Sequence, residues 1–349
     1  MRHSPTPCFV DILRGSIPGG VTYLEKVRYK EGMSLALFVL LQLAPQSEAR
    51  WGSARPPECA KADGASGTNA WERAKSPELR AYCDKLASAT SQLVGTGAVS
   101  PEVLTLAEEA AKARPEKAAP HVLRGRALAR LGRHPEALAA FEEAKKRDER
   151  ALEEPRALFT YAHGLARAGR HSEALPAYRS LLPRASQLDL HERAAAYVET
   201  GLLLLAQGPK DLDDALAVLR QARREAQESL QVLGVLALGL ALERAGEPEQ
   251  ARALLAERGA KEPRKLEVAL SDARVKEVLA VDPDPGEEHA LRAVLYEDAD
   301  PSRAAEGYRA YLEKSPKKPW EAHAKKRIEA LSGKRAPAAR PQPTGAPRR

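Results

Sequence analysis

The sequence predicts an all-α solenoid of stacked antiparallel helix pairs. Ala, Leu, Arg and Glu dominate a chain of 349 residues with only 5% aromatics. That is a composition of helix formers, with little of the β-branched and aromatic content that sheets favour. A pattern of small residues, Leu or aromatic residues and a turn Gly recurs four times between residues 118 and 258. No single unit of that pattern can bury its apolar face alone, so the units must stack.

The clearest unit is APHVLRGRALARLGRHPEALAAFEEAKKRDE, in which Gly125 is followed by Leu128, the turn residue Gly132, then Ala137, Phe141 and Ala144. The next repeats the spacing with Ala162, Leu165, Gly169, Ala174, Tyr178 and Leu181. In the third, Gly201, Leu204 and Gly208 keep register, and two extra residues in the turn shift Ala215, Leu219 and Ala222. A fourth has Gly239, Leu242, Gly246, Ala251 and Leu255. Small residues let the two helices of a hairpin approach, and the large residues fill the gap on the same face. The Gly ends the first helix in a left-handed conformation. Upstream, ELRAYCDKLASATSQLVGTG and SPEVLTLAEEAAKARP read as another pair, with Ser100 as N-cap and Val103 lying 34 residues before Ala137. Downstream, Ala304, Tyr308, Tyr311 and Pro316 restore the pattern, and PWEAHAKKRIEAL suits a solvent-facing cap. Between Glu257 and Ala290 the register is lost: KLEVALSDARVKEVLAV reads as a helix and DPDPGEE as a loop.

These residues resemble the tetratricopeptide repeat, whose units of about 34 residues alternate two antiparallel helices. The intervals between the equivalent residues Ala137, Ala174, Ala215 and Ala251 are 37, 41 and 36 residues, looser than that period. The family's Trp near the start of the first helix is absent, as is its closing Pro in most units. The resemblance covers residues 78–332, about six units, and implies a right-handed solenoid that binds proteins in a concave groove lined by the first helices. Groove positions follow the small residue of each first helix and recur four residues on. Here they are Arg126 and Arg130, His163 and Arg167, Leu202 and Ala206, Leu240 and Arg244. The expected groove is cationic at its N-terminal end and apolar further on, and Arg suits two-point grip of carboxylates. The Lys and Asn residues of the family's chaperone-tail clamp are missing, so that activity is not carried over.

The N-terminus points outside the cytoplasm. MSLALFVLLQLA at 33–44 is a twelve-residue apolar run, short for a membrane span. Lys26, Arg28 and Lys30 precede it, and Ser47-Glu48-Ala49 follows with small residues where a signal peptidase reads. Residues 1–49 are therefore expected to be a cleaved signal region with Arg50 as first mature residue, and translation is expected to start between Val21 and Met33. The absence of a lipobox Cys after the run argues against a lipid anchor. Cys8 would be lost on cleavage, which leaves Cys59 and Cys83 as an even pair in an oxidising compartment. A bridge between them would staple the loop-rich segment 50–77 to the first helix, worth about 3 kcal/mol in the chain-entropy picture. Periplasmic or secreted localisation is the expectation.

The net charge of +7 does not signal nucleic acid. Ten of the 55 Lys/Arg but four of the 48 Asp/Glu lie in residues 1–49 and 333–349, which leaves a nearly neutral body. The tail GKRAPAARPQPTGAPRR, 333–349, reads as solvated and disordered.

Catalytic signatures are missing. Gly95-Thr96-Gly97 lacks the rest of a dinucleotide site and reads as a turn. Neither a Walker A motif nor HExxH occurs. Asp282, Asp284, Glu287 and Glu288 do not match an EF-hand and read as helix-capping acids, as do Asp211 and Asp214. Ser315 and Lys318 have the SxxK spacing in a helix-end context, a chance match. The sequence thus predicts a non-enzymatic interaction scaffold with a protein or peptide ligand, an acidic one where the arginines grip it. It predicts no cofactor, metal or nucleic acid, and no integral membrane span after signal cleavage. A structural spacer in an envelope assembly and a helical cell-wall-acting enzyme are the competing readings. The spacer would lack a ligand-sized groove, and the enzyme would need titratable groups with shifted pKa values gathered in a cleft.

Overall fold

A computed structural model describes residues 56, 58–59, 77–93, 99–226, 228–257, 267–268, 270–282 and 284–333. The expected signal region, the expected turn at Gly95-Thr96-Gly97 and residues 334–349 of the basic tail lie outside the described residues. Among the described residues there is no strand. Helix α1 (Pro77–Gln92) pairs with α2 (Glu102–Ala113), α3 (Ala119–Arg130) with α4 (His134–Arg147), and α5 (Pro155–Arg167) with α6 (His171–Leu181). The next pairs are α7 (Leu190–Gln207) with α8 (Leu212–Glu225) and α9 (Glu228–Arg244) with α10 (Pro248–Glu257). A short α11 (Ala273–Leu279) precedes the pair α12 (Glu287–Tyr296) and α13 (Pro301–Lys314), and α14 (Glu321–Ser332) closes the array. First helices touch in succession, α1 to α3 to α5 to α7 to α9 to α12. This is the all-α solenoid that the periodicity demanded.

Local chemistry sets the boundaries. Pro120, Pro135, Pro155 and Pro301 stand in first turns, where a missing N–H costs nothing. Glu154, Asp189 and Asp300 cap α5, α7 and α13 by accepting from the backbone N–H of Ala157, Glu192 and Arg303. Ser100 accepts from Glu102 N–H at 3.2 Å. The hairpin turns repeat in detail: Gly132, Gly169 and Gly246 have φ of 74°, 74° and 80°. The N–H after each returns to a first-helix carbonyl, Arg133 to Leu128, Arg170 to Leu165 and Glu247 to Leu242. That 6→1 bond is available because glycine takes the left-handed conformation without steric cost. Asp211 and Asp214 correct the capping expectation: Asp211 makes no side-chain cap, and both carboxylates face Arg179 of α6, at 3.5 and 3.0 Å. Asp211 holds the N-cap position and Asp214 the first turn, where acids complement the helix dipole, but their carboxylates turn to the Arg179 cation rather than to the helix N–H groups.

Within each pair the small and large positions interlock. Ala137, Ala174, Ala215 and Ala251 are buried, as are Phe141, Tyr178, Leu219 and Leu255. A Cβ on Gly125 would lie 2.8 Å from the Phe141 ring, which shows why that helix needs no side chain there. At the N-terminal end Cys59 and Cys83 form a disulfide with Cα atoms 5.6 Å apart, and the Tyr82 hydroxyl donates to Glu58 beside it. At the other end α14 buries Ala324 and Leu331 and exposes most of its charged residues, as a cap should.

Two features depart from simple stacking. Helix α11, in the stretch without register, lies against α7 and α9. Leu270, Val275 and Val278 join the core shared by α7–α10 and α12–α14, and Val281 joins the core of α3–α6. The loop before α14 also reaches back: the Trp320 indole donates to Leu205 O at 2.8 Å, across 115 residues of sequence.

Candidate binding cleft on the first-helix face

A cleft of 390 Å³ opens on the face formed by α3, α5 and α7, with Glu277 and Val278 of α11 on its border. Helix α3 contributes Arg126 and Arg130, α5 contributes Arg156, Phe159 and His163, and α7 contributes His191, Glu192 and Glu199. These residues share a face because they recur at helical intervals, four residues between the arginines of α3 and seven between Arg156 and His163.

The charges are partly compensated. Arg126 lies 4.0 Å from Glu154, Arg156 lies 3.5 Å from Glu192, and Arg130 donates to Leu93 O at 3.3 Å. Burial, reinforced by Asp189, pushes the Glu192 carboxyl up to about 7 against the pull of Arg156 and Arg126. Its negative charge is therefore only partly present at neutral pH. His163 is 8% exposed, with Nδ1 3.1 Å from both carboxylate oxygens of Glu199. Burial opposes its charge, but the Glu199 carboxylate outweighs burial and raises its pKa. The Tyr178 hydroxyl also donates to Glu199. His134, edge-on to His163 at 6.0 Å between ring centroids, goes the other way, lowered by burial and by Arg167.

Of the residues expected to face a groove, Arg126, Arg130 and His163 line the cleft together. Arg167 is exposed and is not among its lining residues. The C-terminal half of the expectation needs correction: Leu202 and Leu240 are fully buried in core. Arg244 is buried too, 2.9 Å from Glu287 and stacked over Trp320 and Tyr311 at 4.6 and 5.7 Å to the ring centroids. α11 and α12 cover that stretch of the first-helix face, so positions that would face a groove in a plain array face this chain's own residues. The expected acidic capping loop is part of the same closure. Glu287 answers Arg244, and Asp284 accepts from Gly286 N–H and from the Ser315 hydroxyl. Asp282 is raised well above the usual carboxylate range by burial and then by Glu287. Ser315 in turn accepts from Lys318 N–H, which assigns the SxxK pair to a loop closure.

Arg156 and Glu199 could have been found from sequence, since each lies on the cleft face one or two turns from a position already chosen. Glu277 could not, because it belongs to the stretch without register.

The tetratricopeptide-repeat family model matches residues 118–143, 155–180 and 233–257. The matched stretches, which fall on α3–α4, α5–α6 and α9–α10, are thus similar to tetratricopeptide repeats. Similar solved structures include YrrB, a TPR protein with an unusual peptide-binding site, at 18% identity over 63% of this chain and 97% of that one, TM-score 0.37. TTC0263, a thermophilic TPR protein in Thermus thermophilus, is 23% identical over 62% of this chain and 98% of its own, TM-score 0.32. The TPR domain of P58(IPK) is 15% identical over 79% and 75%, TM-score 0.32. No curated protein matches significantly.

Proposed function

We propose that this chain is a non-enzymatic interaction scaffold that holds an acidic peptide or partner segment in the cleft of α3, α5 and α7, and that it acts in the periplasm or outside the cell. The observation that carries the reading is the convergence of Arg126, Arg130 and Arg156 around one open cleft, beside a carboxyl that is half neutral near pH 7. Guanidinium groups on a rigid helical face suit carboxylate recognition. A ligand-sized cleft favours binding over a pure spacer. Export is supported by the basic, apolar and cleavage pattern of residues 26–49, and by the Cys59–Cys83 bridge, which persists best in oxidising compartments.

Affinity capture from envelope extract tests the binding reading, with Arg126→Gln/Arg130→Gln/Arg156→Gln as control. A partner retained by the wild type, released by salt and lost by the variant is the expected result. Equal retention by both proteins would remove the cationic-cleft reading. N-terminal sequencing of native protein should begin near Arg50, and a cytoplasmic protein retaining Met1 would rule out export.

Glu192, raised to about 7, favours a second reading, a hydrolase acting on cell-wall material with that carboxyl as general acid. Structural ion-pair networks shift pKa values as well. A muralytic assay of wild type against Glu192→Gln decides it, and no turnover by the wild type eliminates it.

A further inference from the structure

The first-helix face is not left empty along the whole array. From α7 onward α11 and α12 cover it, and Val275, Val278 and Val281 anchor that cover in core. The helix is anchored in core, while one of its side chains stands at the border of the cleft. Glu277, with 54% of its side chain exposed, places a carboxylate oxygen 3.7 Å from Nε2 of His163 at the border of the cleft. That separation is an ion-pair distance but too long for a hydrogen bond. Nε2 itself is buried and makes no hydrogen bond.

The state of that nitrogen follows from its other side. Nδ1 faces the Glu199 carboxylate, and since a carboxylate can only accept, Nδ1 is assigned the proton of that contact. Nε2 then holds a proton only in the imidazolium form. Glu199 on α7 and Glu277 on α11 favour that form, while burial, Arg167 on the same helix and His134 on α4 oppose it. The net effect raises the pKa of His163. A buried imidazole nitrogen at the border of a cleft, unbonded and with a single loosely placed carboxylate beside it, is an unfinished anion site.

Resting on the reading of the cleft given above, we propose that Glu277 is a built-in competitor: its carboxylate stands where a carboxylate of the acidic partner binds, and the partner displaces it to accept a hydrogen bond from Nε2 of His163. Helix α11 stays in place; only the Glu277 side chain swings into solvent, where it already half resides. The incoming group gains a charge-assisted hydrogen bond that Glu277 does not make, with Arg126 and Arg130 lining the same cleft. Occupancy depends on the imidazolium and weakens as pH rises through the titration of His163.

The test uses the full chain and a fluorescein-labelled, C-terminally amidated penta-glutamate peptide, read by anisotropy at constant ionic strength. Glu277→Gln, an exposed change that should fold normally, is expected to bind the peptide about three- to fivefold tighter, the equivalent of removing one exposed ion pair. The Nε2 resonance of His163, followed by nitrogen NMR, is expected to move on saturation, and affinity to fall as that resonance titrates. If Glu277→Gln binds no tighter while Arg126→Gln/Arg130→Gln loses the peptide, the competitor is refuted and the acidic-cleft reading stands. A His163 resonance unmoved by saturating peptide refutes it too. If neither wild type nor Glu277→Gln binds the peptide, both readings fall.

Discussion

Gly125, Gly201 and Gly239 hold the same place in three repeats, yet replacing each by Ala should have opposite consequences. In a helix interior the change gains about 0.8–1 kcal/mol of intrinsic propensity wherever the added methyl finds room. At Gly239 a Cβ would meet the Leu255 side chain at 3.5 Å, an ordinary contact, so Gly239→Ala should be stabilising by most of that amount. At Gly201 the Cβ would lie 2.5 Å from Leu219 Cγ, and at Gly125 it would meet three ring carbons of Phe141 at 2.8–2.9 Å. Leu219 and Phe141 are fully buried and have no slack. Overpacking of that kind costs about 1–3 kcal/mol, which outweighs the propensity gain. Gly201→Ala and Gly125→Ala should therefore be net destabilising, or neutral at best. Urea titrations followed by circular dichroism would rank the variants by midpoint, with Gly239→Ala above wild type and the other two below. A Gly239→Ala that falls as far as Gly201→Ala would mean that α9 does not sit against α10 in the register described, and the equivalence of the repeats would go with it.

Other consequences can be measured on the same protein. Mass spectrometry without reductant should recover Cys59 and Cys83 in one linked species, and reduction should lower stability by about 3 kcal/mol or less, with the loss concentrated in α1. Glu192 and Glu243, each pushed to about 7 chiefly by burial, keep protons in the folded state that the unfolded chain releases near 4.5. Stability should therefore fall as pH rises from about 4.5 to about 7, and Glu192→Gln should flatten that slope in denaturant titrations. The His163–Glu199 pair acts in the same direction, since a raised His contributes fully below its unfolded value and loses its contribution as pH climbs through the folded one. Trp320→Phe removes the indole donor to Leu205 O and should cost about 1–2 kcal/mol, read as a lowered melting temperature, with faster amide exchange at the end of α7.

The sequence by itself determined the class of fold, because that information is local and repeated. The turn glycines, the small-against-large alternation of Gly125 with Phe141 or Gly201 with Leu219, and the first-turn prolines each act within one hairpin. Their spacing survives variation in loop length. The Cys59–Cys83 pairing was legible for a different reason: cleavage after Ala49 would leave no other thiol to choose from. Arg126, Arg130 and His163, which line the cleft, could be named as well, since the repeat resemblance implies which helices face the groove and helical geometry says which of their positions share that face. What the sequence could not disclose is where non-neighbours meet. Nothing local in Leu202, Leu240 or Arg244 says that they will be buried, because α11 and Glu287, the partner of Arg244, lie in the one stretch without register. The same holds for Trp320 against Leu205 and for Glu277 against His163. Periodicity specifies how each unit packs on the next, whereas contacts that skip units depend on the path of a non-repeating segment, and only the assembled tertiary structure decides that path.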